Sequence, residues 1–67
     1  MQQRTWEGQW RFKHPTIKPR QTSGTTNVPA SSKVEAINKI QANVSKELLG
    51  TENFKSHVRV QIKDVRN

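Results

Sequence analysis

Only three stretches of this 67-residue chain repeat apolar residues with a regular period, and no apolar run exceeds two residues. That pattern restricts the fold to a thin one, with strands and one helix sharing a single small core. Leu, Ile, Val and Phe number two, four, six and two, about one residue in five, just above the composition of chains too polar to fold. A chain of this length buries only about 60% of its unfolded surface. There is no Cys to supply a disulfide, and His14 and His57 alone are too few for a structural metal site. Part of the chain is therefore expected to be a loose tail, with folding completed by self-association or a partner.

The longest periodic stretch predicts a helix from Lys33 to Leu49. Ser32 is placed to cap it, Glu35 falls at the third helical position, and Ser32-Lys33-Val34-Glu35 is a capping box. Val34, Ile37, Ile40, Val44 and Leu48 follow at spacings of three and four, within an arc of about 120° at 100° per residue. Lys39, Asn43 and Lys46 face away. Glu35 and Lys39 form an i,i+4 pair in the favourable order, and Gly50 is suited to a left-handed C-cap.

The other two patterns have period two. From His57 to Val65, Val58, Val60 and Ile62 alternate with His57, Arg59, Gln61 and Lys63, as in a strand half-buried beneath a basic outer face. Phe54 is expected to fold back on the core. Gln9 to His14 is a weaker strand with Trp10 and Phe12 on one face, joined by Trp6 if it runs through Gly8. Pro15 and Pro19 keep the following residues extended.

By composition, residues 1–20 form a basic, aromatic-bearing arm expected to be mobile. Residues 21–30, uncharged and rich in turn-forming types, are expected as a linker, and residues 31–67 as the helix plus the C-terminal strand. The expected fold is a small α+β domain of strand-loop-helix-strand order. If the two strands are parallel, the helix is a right-handed crossover. A third strand is needed for stability, from Thr16 to Arg20 or from a second copy of the chain.

Catalysis is not expected. The chain lacks a Cys nucleophile, a glycine-rich phosphate loop and a recognisable Ser/His/acid arrangement, and it has five carboxylates in all. No cofactor, metal or small-molecule substrate is implied, and a pocket of a few hundred cubic ångströms is hard to build in so thin a fold. With no long apolar segment, a membrane role is not expected and a cytoplasmic location is.

Charge is the informative feature. Twelve Lys and Arg against five Asp and Glu leave a formal net charge of +7, the electrostatic footprint of a nucleic-acid binder. Arg11, Lys13, Lys18, Arg20, Arg59 and Lys63 are the candidate phosphate contacts for a small accessory or regulatory protein binding DNA or RNA. Trp10 and Phe12 are expected in the core, which leaves Trp6 as the candidate exposed ring for base stacking. The alternative is a protein-interaction module or homo-oligomer using the edge of the C-terminal strand, its charge facing an acidic partner.

Overall fold

The computed structural model describes residues 3–66. Its elements in chain order are β1 (Arg4–Phe12), β2 (Ser23–Ala30), α1 (Lys33–Leu49), a 3-10 helix (Glu52–His57) and β3 (Val58–Arg66). The fold is α+β: one antiparallel sheet of order β2-β1-β3, with α1 covering one face. The first two residues of the N-terminal basic zone, and Asn67, lie outside the described residues.

The weaker strand pattern is the centre of the sheet. Trp6, Gly8, Trp10 and Phe12 alternate inward along β1 and are all buried, so residues 4–12 are the core strand rather than part of a loose arm. Between the two tryptophans, Gly8 makes room for the helix. A Cβ on Gly8 would lie 2.6 Å from Cδ1 of Ile40 and 3.2 Å from Cγ1 of Val60. Ile40 is fully buried and seats over this gap. A glycine inside a strand often marks such a close approach.

The third strand is β2, which replaces two expectations: residues 21–30 as a linker, and a strand at Thr16 to Arg20. Its inward residues are Gly24, Thr26, Val28 and Ala30. They are small because the rings of β1 fill the space above them. A Cβ on Gly24 would meet the Trp10 ring at 2.9 Å, and Trp6 Nε1 donates to the Ala30 carbonyl at 2.8 Å. Pro29 cannot donate to a ladder and is confined to edge strands, which is where β2 lies.

β1 runs antiparallel to both neighbours, so α1 is not a crossover between the first and last strands. It joins β2 to β3, which run in the same direction on either side of β1. Ser32 Oγ accepts from Glu35 N–H at 3.2 Å. The Glu35 carboxylate accepts from Ser31 N–H at 2.8 Å and Ser31 Oγ–H at 2.6 Å, and Gly50 closes the helix at φ 72°. Ala36, Ile40, Val44 and Ser45 form the buried stripe. Val34, expected on it, is 69% exposed. The eleven residues from Val34 to Ser45 bring the helix back to within about 20° of the same meridian. Ser45 is buried because its Oγ donates to the Thr51 carbonyl and accepts from Phe54 N–H, which fastens the 3-10 helix alongside. At the Val34 end of the helix no second helix among the described residues covers that meridian.

Two consequences can be measured. Gly8→Val should destabilise the fold by about 1–3 kcal/mol through overpacking, and Ile40→Ala by about 2–5 kcal/mol. Because both changes act on one gap, denaturant titration of the double variant should show less destabilisation than the two single effects together. The Glu35 carboxyl is held below its ordinary value of 4.5, first by its hydrogen bonds to Ser31 and also by Lys39. A lowered native value means this contribution is present above pH 4.5 and lost as the pH falls through the native value. Glu35→Gln should flatten that acid limb in a pH series of thermal melts.

Candidate nucleic-acid interface

The helix covers one face of the sheet and leaves the other open. The period-two alternation directs Glu7, Gln9 and Arg11 of β1 to the open face. The registers place neighbours beside them: Arg59 opposite Arg11, Gln61 opposite Gln9 and Asp64 opposite Glu7 on β3, with Ser23, Thr25 and Asn27 on β2. The open face is therefore three matched rows across β1 and β3: arginines, glutamines and carboxylates. Same-face rows are about 7 Å apart along a strand.

The carboxylate row depends on an irregularity. The β1/β3 register shifts between Glu7 and Gly8, leaving Lys63 as an extra residue between Ile62, which faces the helix, and Asp64, which does not. Without this bulge a strict alternation would turn Asp64 toward the core and Val65 toward solvent. The three-residue step from Ile62 to Val65 was the sequence signal for it, set against the two-residue steps from Val58 to Ile62.

Arg11 and Arg59 are both exposed and stand directly opposite each other. Like charges in this relation are destabilising, and neither forms an ion pair among the described residues, where the pairs are Lys39–Glu35 at 3.5 Å and Arg66–Asp64 at 3.3 Å. Gln9, Arg11, Arg59, Val60 and Gln61 line a shallow cleft of about 290 Å³. Two guanidinium groups and two amides converge there, a donor-rich set suited to phosphate oxygens.

The other predicted cations occupy different places. Lys13 follows β1 and donates its N–H to the His57 carbonyl at 3.0 Å, next to the arginine row. Lys63 is exposed at the bulge. Lys18 and Arg20 are exposed in the β1–β2 connection. Arg20 lines a cleft of about 370 Å³ on the helix side, between β2 and the C-terminal half of α1, with Trp10, Lys46 and Glu47. The fold thus unites Arg11 with Arg59 and sends Arg20 to another side.

Trp6 is not an exposed ring. It is 8% exposed and its indole N–H is bonded inside the sheet. Trp10 and Phe12 are buried as expected. His57 ends the 3-10 helix instead of opening β3. Its ring centroid lies 4.6 Å from that of His14, in a cluster with Phe12 and Phe54. His14 Nδ1 accepts N–H from Thr16 at 3.1 Å and Ile17 at 3.0 Å, so the ring proton is assigned to Nε2. The imidazoles close the loop end of the core and hold the turn after β1.

The chain matches no protein-family model, no curated protein and no solved structure. No helix among the described residues is long and apolar enough to cross a membrane.

The arginine row gives a direct stability test. Arg59→Gln should raise stability by about 0.2–1 kcal/mol at low ionic strength by removing the like-charge neighbour. Added salt should erase the gain, since both groups are exposed to screening. A loss of stability in low-salt denaturant titrations would contradict this picture of the row.

Proposed function

We propose that this chain is a non-catalytic nucleic-acid-binding protein, an accessory or regulatory factor that grips phosphates with the open face of its sheet. One observation carries the reading. Arg11 and Arg59 are side by side, exposed and without a carboxylate partner among the described residues. Holding two like charges together costs stability, and an anion lying across both would recover it. Lys13 lies next to the pair, Lys63 adds charge farther along β3 at the bulge, and Lys18 is exposed in the β1–β2 connection, while Arg20 lies on another side. Such a surface needs no pocket, because neutralising phosphates releases condensed counterions.

The alternative, self-association or docking of an acidic partner along a free strand edge, draws support from half-buried Val60, Ile62 and Val65 on β3. Its edges are nevertheless blunted, one by Pro29 and the other by the bulge and its charges, the usual defences against strand addition.

Fluorescence anisotropy with a labelled 20-base-pair DNA probe tests the reading. Affinity should fall steeply between about 50 and 200 mM salt, with a slope near 0.9 per phosphate neutralised. Arg11→Ala together with Arg59→Ala should lower that slope by about two, while Lys33→Ala on the helix leaves it unchanged. Absent binding at 50 mM salt, or a salt-independent affinity, would refute it. Sedimentation showing only dimers and no nucleic-acid binding would favour the edge.

A further inference from the structure

The open face carries more than a phosphate grip. Resting on the reading above, we infer that its partner is a B-form DNA duplex, entered through the major groove, with Gln9 and Glu7 reading base edges while the arginine row holds phosphate. The argument begins with the rows next to the arginines. A surface built only to follow the backbone gains nothing from Glu7 and Asp64, which repel phosphate. Yet the carboxylate row lies only about 14 Å along the strands from the arginine row, on the same face.

Base edges suit these rows. Glutamine makes a bidentate match with N6 and N7 of adenine, and a carboxylate accepts from N4 of cytosine. Asp64 is partly occupied, since its carboxylate accepts from Val65 N–H at 2.9 Å and meets Arg66 at 3.3 Å. Glu7 has no ion-pair partner among the described residues, and it lies on the central strand, where a base edge is nearest.

The dimensions single out β1 and β3: a B-DNA major groove about 12 Å wide admits a two-stranded ribbon, and these two strands, about 4.8 Å apart, carry the matched rows. With β1 and β3 laid along the groove, Gln9 and Glu7, about 7 Å apart, face separate base edges, and the arginine row, about 7 Å beyond Gln9, faces the phosphates. On the flanking strand, the hydroxyls of Ser23 and Thr25 and the Asn27 amide are placed for a phosphate wall, as polar side chains commonly are. The A-form major groove of duplex RNA is too deep and narrow for such a face. Recognition of single strands relies on aromatic stacking, and Trp6, Trp10 and Phe12 are all buried on the helix side of the sheet.

The experiment is selection from B-form DNA duplexes with a randomised ten-base-pair centre. Anisotropy at 150 mM salt then compares the selected duplex, its scrambled counterpart, the RNA duplex of the same sequence and the single strand. The selected duplex should bind at least tenfold more tightly than the other three. Gln9→Ala should relax preference at one base pair by roughly 5- to 150-fold, the worth of one good bidentate contact, and leave the salt slope unchanged. Glu7→Gln should alter preference at a different base pair. Circular dichroism confirms that both variants fold. Equal affinity for selected and scrambled duplexes, with the salt slope intact, overturns the inference and leaves phosphate binding standing. Tighter binding to the RNA duplex or the single strand also overturns it. No binding to any probe at 50 mM salt overturns both.

Discussion

The packing of Ile40 into the gap over Gly8 sets how closely the helix can approach the sheet. A single helix must cover a three-stranded sheet, and few large apolar residues are available to do so. The glycine between Trp6 and Trp10 puts no side chain beneath Ile40, so the helix can approach the central strand. An ordinary side chain at position 8 would hold the helix off and expose both tryptophans. With the helix seated, β2 needs only small residues beneath the rings, and β3 supplies Val58, Val60, Ile62 and Val65 on its side. The same economy leaves the second face of the sheet uncovered. The surface proposed to bind nucleic acid is thus a direct result of having one helix for two faces.

Local and long-range forces contribute differently along the helix. Its ends are set by neighbouring residues: Ser32 and Ser31 with Glu35 at the start, Gly50 in the left-handed conformation at the finish. Its buried stripe is set by what lies beside it. Ser45 is covered because it bonds to Thr51 and Phe54 of the 3-10 helix, while Val34, on nearly the same meridian three turns away, has no such cover. Helical periodicity identifies a side that can be buried, and neighbouring elements determine how much of it is.

Charge is organised the same way. Net charge pointed to a polyanion, but composition could not distinguish six dispersed cations from a constellation. Strand register makes that distinction. It sets Arg11 beside Arg59 although they are 48 positions apart, and it sends Arg20 to another surface. Register also creates the glutamine and carboxylate rows, whose members are ordinary polar residues until the strands pair. Gln9 and Gln61 had no sequence signal beyond being the polar half of an alternation.

The amino-acid sequence by itself determined the helix with both caps, the buried ring positions of Trp10 and Phe12, the outward, polar side of β3 with Arg59, Gln61 and Lys63, and the α+β class. Each is a matter of local periodicity or capping, which a few neighbouring residues decide. Only the tertiary structure decided that residues 23–30 are a strand, since their inward side is small to match rings on another strand and has no periodic signal of its own. It likewise decided that β1 is central, that Trp6 is enclosed, and that a bulge at Lys63 turns Asp64 outward. These outcomes depend on pairing between distant segments, where one residue of register reverses which side of a strand meets solvent.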